Sequence, residues 1–256
     1  MSGNFFERLP LAFLLGSQDI RQAYRRSAVG PFWITVGMAL QIATIGLVFG
    51  VLFKSNMQDY LPYLAVSIII WGFISGVINE ACLAFISAEN IIKQTDVPLY
   101  VYVFRSLWKN ILVFGHHLVI LPVVFLIVWR GINWNLIFVV PGFFLVLLNL
   151  AWISFVLASI SARYRDLPPI IISLTGIAFY ITPVMWTPEL LGDAGTQHLL
   201  LGFNPFYHFL QIVRLPILGQ SPTLENWAIS LLIAGIGWLA AYLVHKRFAS
   251  MIAYWV

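Results

Sequence analysis

Charge is scarce in this sequence. Only 9% of its residues are Asp, Glu, Lys or Arg, against 61% hydrophobic ones. A soluble domain is roughly a quarter charged and about half apolar, so a water-facing surface is excluded and lipid must be the solvent for most of the chain. Cysteine is nearly missing: Cys82 stands alone, which excludes an intrachain disulfide and any cysteine-rich metal site. It reads as a small apolar residue inside a membrane helix. The only lysines are Lys54, Lys93, Lys109 and Lys246, and none follows glycine in the G-K-[ST] order of a phosphate-gripping loop. The chain therefore does not hold ATP in that way. Clustered acids are also lacking, since Asp59, Glu189, Asp193 and Glu225 are scattered. His116 and His117 are neighbours, which on a helix point about 100° apart and not together at a metal. His198, His208 and His245 show no ligand spacing, and no nucleophile–base arrangement stands out. The net charge of +4 comes from basic residues beside apolar runs, where they anchor to lipid phosphates; nucleic acid is not implied.

What the chain does have is long apolar runs. Residues 32–53, 61–85, 111–129, 136–160, 170–186 and 227–244 are each long enough to span a bilayer, which takes about 20 residues. In lipid each must be helical, because an isolated strand would leave its backbone groups unpaired. The fold class expected is thus all-α with six transmembrane helices. An even number of spans puts both ends on one side. Eleven of the fourteen basic residues fall in one set of loops and ends, and Lys54, Arg130 and Arg214 in the other. The positive-inside rule therefore places both termini in the cytoplasm. Trp129, Trp134, Trp186 and Trp227 near the outer span ends fit an interfacial aromatic belt.

Several segments are more than plain connections. Residues 1–30 read as an amphipathic interface segment ahead of a single membrane domain, 31–256. Phe5, Phe6, Leu9, Phe13 and Leu14 would face lipid, and Arg21, Arg25 and Arg26 would reach headgroups. A signal peptide is disfavoured, since Glu7 precedes the short apolar stretch and no A-x-A site follows. Between spans two and three, Ser87 can cap a cytoplasmic helix of about two to three turns. It has Glu89 in the first turn, Lys93 near its end and Pro98 as its stop. Ile91 and Ile92 have no obvious core to enter, so this helix is either a plug for a partner protein or a surface helix on lipid. In the short loop before span five, Arg163 and Arg165 either anchor helix ends or touch a partner, and Asp166 can pair with either. Glu80, a carboxylate inside span two, reads as the partner of Arg105 or Lys109.

The outer segment 187–226 is too apolar for an aqueous loop. Residues 206–218 suit a re-entrant or interfacial helix, with Phe206, Phe209, Leu210 and Val213 on one face and Tyr207, His208, Gln211 and Arg214 on the other. Trp71, Phe73, Trp152, Phe155, Tyr180 and Trp186 lie within spans, where flat rings either stack on sugar faces or pack against helices and lipid.

Four segments together resemble a known family: 19–33 (DIRQAYRRSAVGPFW), 89–100 (ENIIKQTDVPLY), 162–170 (ARYRDLPPI) and 203–219 (FNPFYHFLQIVRLPILG). In order and spacing they are similar to permease subunits of type-2 ABC exporters, in the branch that moves O-antigen, capsule or teichoic-acid polymers on a lipid carrier. The resemblance implies a homodimer in a bacterial cytoplasmic membrane, bound to two copies of a separate ATPase that holds ATP and Mg²⁺; this chain would carry no cofactor and no catalytic residue. Glu89, Asn90, Ile91, Ile92, Lys93, Gln94 and Asp96 would form the coupling helix, and Arg163, Arg165 and Asp166 a second contact with the ATPase. Trp71, Phe73, Trp152, Tyr180 and Trp186 would line the channel, and Pro205, Phe206, Tyr207 and Arg214 would belong to outer re-entrant helices that gate it. A permease for a small hydrophobic substrate would share this topology. An ion-coupled transporter would want several intramembrane charges, and a membrane glycosyltransferase clustered acids or histidines; neither pattern is present.

Overall fold

The computed structural model describes residues 5–25, 30, 32–129, 131, 133–192, 194–249 and 251–255, and among these there are helices and turns but no strand. The helices run α1 (Phe5–Ala23), α2 (Phe32–Leu52), α3 (Met57–Ala81), α4 (Glu89–Gln94), α5 (Leu99–Leu118) and α6 (Ile120–Ile127), then α7 (Val139–Arg163), α8 (Leu167–Ile181), α9 (Ala194–Leu201), α10 (Pro205–Ile217), α11 (Leu224–Phe248) and α12 (Ile252–Trp255). Two 3₁₀ turns, Trp134–Phe138 and Pro188–Leu191, precede α7 and α9.

Five stretches are long and apolar enough to cross a membrane: Phe32–Leu52, Met57–Ala81, Leu99–Ile127, Trp134–Arg163 and Leu224–Phe248. The chain is a multi-pass membrane protein, but the expected count of six such spans is not reproduced. The third span starts at Leu99, not at 111, because Arg105 and Lys109 sit inside the helix with their charges paired. Pro122 lies just beyond the break at Val119 that separates α5 from α6; it has no N–H to donate and crowds the preceding turn. The expected fifth span is α8, only 15 residues long. That gives about 22 Å of helix against roughly 30 Å of hydrocarbon. It ends at Thr182, which is extended (φ −82, ψ 136) as a residue before proline tends to be.

The core is centred on α3. In its apolar window 72% of residues are buried, against 17% for α2, so α3 is the axis and α2 lies on the rim. Around α3 pack α2, α5, α6, α7, α8 and α10. Phe73 of α3 packs at a tilt on Phe114 of α5 and Phe143 of α7, which stack on each other, with centroids 5.0–5.3 Å apart, and the three lie within this core. Gly142 lets α10 approach α7 closely, since a Cβ there would run into the Ile212 carbonyl oxygen. A second small core of Phe85, Tyr102, Val103, Ala158, Ala162 and Ile252 lies beneath α4.

Candidate functional site

Alternation of the long helices brings α1, α4, the 163–167 turn and α12 to one end of the bundle, the basic end, and the 182–191 segment, the end of α10 and the 133–135 turn to the opposite end.

At the basic end α1 lies against α5. Arg105 donates from Nε and Nη2 to the two carboxylate oxygens of Asp19, both at 2.7 Å. Such a two-pronged pair fixes angle as well as distance. Trp108 donates to Ser17 Oγ at 3.0 Å and packs on Phe13 at 4.8 Å. Gly16 sits so near the α5 backbone that a Cβ would come within 2.7 Å of the Arg105 carbonyl oxygen. Leu14, Arg21 and Arg25 are exposed; Arg26 lies outside the described residues. Of the two partners expected for Glu80, Lys109 has it, at 2.7 Å, and Asn110 Nδ2 donates to its other oxygen at 3.0 Å.

The α4 helix is shorter than its sequence predicts, six residues. Ser87 does not cap it: the N-cap is Ala88, and Ser87 Oγ donates to the Ala84 carbonyl instead. Glu89 pairs with Lys93 at 2.7 Å and with Arg165 at 3.6 Å, so the turn after α7 is tied to α4. The Lys93 hydrogen bond and charge, helped by Arg165, hold the Glu89 carboxyl below the usual carboxylate range. Ile91 and Ile92, indistinguishable by sequence, part company. Ile91 is 40% exposed, while Ile92 packs on the small core below. Asn90, Lys93, Gln94 and Asp96 flank this knob: Lys93, Gln94 and Asp96 are exposed and Asn90 is exposed beside the half-buried Glu89. Arg163 lies over the Trp255 ring at 5.2 Å, and Asp166 occupies the α8 N-cap position without a side-chain cap.

Between α2, α3 and α8 lies a recess of about 370 Å³, with Trp71, Phe179 and Tyr180 on its walls and Gln41, Asn79 and Thr175 among its polar groups. Thr175 Oγ1 donates to Asn79 Oδ1 at 3.0 Å, and Trp71 packs on Phe179 at 5.9 Å and Phe206 at 5.6 Å. Two of the helices flanking it, α2 and α8, are sparsely covered: Leu40, Leu47, Val51, Ile172, Ile177 and Tyr180 are all exposed. Of the aromatic residues expected in a channel, Trp71 and Tyr180 meet here, and Trp186 is bonded to this region through its Nε1–H to the Tyr180 carbonyl at 3.0 Å. Phe73 is corrected to a core residue, 3% exposed within its phenylalanine stack. Trp152 is a packing residue too: its indole lies against Gly237 of α11 and donates to Asn149 Oδ1 at 3.1 Å.

At the opposite end, α10 is wedged among α3, α7 and α11. Asn204 caps it by accepting from the Phe206 and Tyr207 N–H groups, and Pro205 occupies the first turn, where its missing N–H costs nothing. Neighbours cover both of its expected faces. His208 is buried between Asn226 Oδ1 (2.8 Å) and the Gly202 carbonyl (2.9 Å). Arg214 is 1% exposed. Its Nη1 donates to the Pro183 carbonyl at 2.7 Å and Ser67 Oγ at 3.0 Å, its Nε to Gln211 Oε1 at 3.2 Å, and its guanidinium lies 4.3 Å from the Tyr63 ring centre. Burial pushes its pKa down from the ordinary value, yet a guanidinium stays charged. Tyr63 donates to the Pro183 and Trp186 carbonyls, and Tyr60 to the Met185 carbonyl. Irregular backbone near membrane depth persists where protein groups satisfy its carbonyls in this way.

The described residues form a helical membrane protein with Ile91 exposed on α4 at its charged end and an aromatic, amide-edged recess beside the sparsely covered α2 and α8. The chain belongs to the ABC-2 type transporter family, whose model matches residues 11–218. It is a type-2 ABC permease. It is similar to the O-antigen export system permease protein RfbA of Myxococcus xanthus, at 22% identity over 196 residues that cover 76% of this chain and 75% of that protein.

Proposed function

We propose that this chain is the membrane subunit of an exporter that moves a lipid-linked polysaccharide outward across the bacterial cytoplasmic membrane, with both termini in the cytoplasm. Two copies pair across the exposed faces of α2 and α8, so that the two recesses holding Trp71 and Tyr180 face one another along the polymer path. Two copies of a separate ATPase, which hold ATP and Mg²⁺, dock on α4, with Ile91 as the knob and Arg165 tied to it through Glu89. The α10 region, with Pro205, Phe206, Tyr207 and Arg214, closes the outer end of the path.

The recess between α2, α3 and α8 carries this reading. Flat rings interrupted by Asn79, Gln41 and Thr175 offer stacking faces and hydrogen-bond edges at membrane depth, a combination suited to sugar rings and wasteful for a hydrocarbon. The similarity to an O-antigen export permease supports the same class of cargo. The test is deletion of the gene in its host, with surface glycan measured by gel and lectin staining. Loss of surface polymer, with lipid-linked polymer accumulating inside, is expected; wild-type surface glycan overturns the reading. A second reading, a small hydrophobic cargo, is favoured by the apolar recess of about 600 Å³ that includes Phe104, Phe155, Trp238 and Tyr242. It is checked by ATP-dependent efflux of a hydrophobic dye from vesicles.

A further inference from the structure

The opposite end holds a third recess, of about 620 Å³, between α3, the 187–189 turn and α10. This is within the size range of small-molecule sites, roughly 300–1,000 Å³. Its walls include Asp59, Tyr63, Glu189, Tyr207, Gln211 and Arg214. We propose that this recess is a docking subsite for a neutral sugar ring of the exported polymer at its point of exit, an inference that rests on the glycan-export reading.

Charge decides against the other ligand classes. Arg214 contributes one positive charge to the recess, and the exposed Asp59 and Glu189 two negative ones. Neither carboxylate is in an ion pair among the described residues. A phosphate or other anion would meet net negative charge, and a cation would meet a buried guanidinium. A hydrocarbon would strip water from the exposed Asp59 and Glu189 carboxylates and replace it with nothing. A neutral polyol suits all of them, since its hydroxyls donate to carboxylates and accept from guanidinium and amide N–H groups.

The donors are already held in place. Arg214 spends Nε and one of its Nη nitrogens on Gln211, Ser67 and Pro183, which aims the guanidinium plane without neutralising it. The Tyr60 and Tyr63 hydroxyls are committed to backbone carbonyls, so their rings are rigid walls and not adaptable hydrogen-bonding arms. One short segment borders both recesses: Tyr180 lies at the inner one, and Thr187, Pro188 and Glu189 at the outer one. Between them the Trp186 indole donates to the Tyr180 carbonyl and Tyr63 donates to the Trp186 carbonyl.

The experiment uses the full-length chain in lipid nanodiscs and saturation-transfer NMR. The probes are glucose, galactose, mannose, rhamnose and N-acetylglucosamine, with inorganic phosphate as competitor. At least one neutral sugar is expected to show saturable transfer that phosphate does not displace. The Asp59→Ala/Glu189→Ala double variant, both changes being at exposed positions, is expected to lose about fivefold or more of that signal with unchanged elution and thermal midpoint. No transfer from any sugar, an undiminished signal in the double variant, or displacement by phosphate overturns the subsite. Host deletion separates the two ideas. Absent sugar binding with glycan export dependent on the gene removes the subsite alone. Sugar binding that depends on Asp59 and Glu189, with surface glycan independent of the gene, removes the export reading, and with it the assignment of the subsite to an exported polymer.

Discussion

At the basic end Arg105 meets Asp19 and Lys109 meets Glu80, each cation with a carboxylate at 2.7 Å. At the opposite end Arg214, far more deeply buried, has three neutral oxygens and the face of Tyr63. The first arrangement is electrostatic and partly wet, with the Arg105 and Asp19 side chains 26% and 24% exposed. Pairs of that kind fasten helices together but contribute little each. The second is dry and geometric: removing Arg214 takes away the group that binds α10, α3 and the chain after α8 into one unit. The two ends therefore differ in construction: one fastens helices through partly exposed ion pairs, the other holds an irregular wall in shape through a buried guanidinium.

Four substitutions or titrations break or sharpen that contrast. Ile91→Asp is expected to abolish co-purification with the ATPase while membrane insertion and thermal midpoint stay at wild type, because the side chain is exposed and supports no core. Normal co-purification would remove α4 from the docking surface. Replacing Ile92 would be a poorer test, since its loss disturbs packing as well. Next comes Arg214→Ala, expected to cost about 3 kcal/mol through lost charge-assisted hydrogen bonds and the void left behind, read as thermal unfolding in detergent. Asp19→Asn is expected to cost only about 1 kcal/mol, as partly exposed ion pairs do; if it matched Arg214→Ala, the contrast between the ends would fail. The smallest effect belongs to Glu89. Its folded carboxyl titrates below the ordinary value of 4.5, so the pairs with Lys93 and Arg165 are fully present above that value and are lost as pH falls through the lower folded one. Protection of the α4 amides is therefore expected to hold from neutral pH down to 4.5 and to fall only in stronger acid. A loss near neutrality would assign the ordering of α4 to another group.

Hydropathy makes α2, α3, α7 and α11 legible, because lipid demands an uninterrupted apolar run and little else produces one. It fails at α5, where Arg105 and Lys109 look like a loop until their carboxylates arrive from residues 19 and 80. It also fails at α8, where a local rule before Pro183 stops the helix while the residues stay apolar. Helical periodicity separates two faces of a helix that has an outside. For α10, enclosed by three neighbours, it sorts the residues into two faces but does not show that both are covered, so the burial of His208 and Arg214 is not legible from it. Aromatic residues are the hardest case. Phe73 and Tyr180 are equally plausible ring platforms in sequence, yet one is in the middle of the core and the other on its rim. The outer recess was beyond sequence reasoning for the same reason, since Asp59, Glu189 and Arg214 come from three distant segments that only the fold assembles.

The glycine at position 16 has a mechanical corollary. With no side chain between them, α1 and α5 touch backbone to backbone, and the Asp19–Arg105 fork prevents sliding. The two helices then tilt as one body, like an outrigger bolted to its hull. Any rocking of α5 during a transport cycle would be reported at the membrane surface by the angle of α1, and a spectroscopic label near Leu14 would act as its inclinometer.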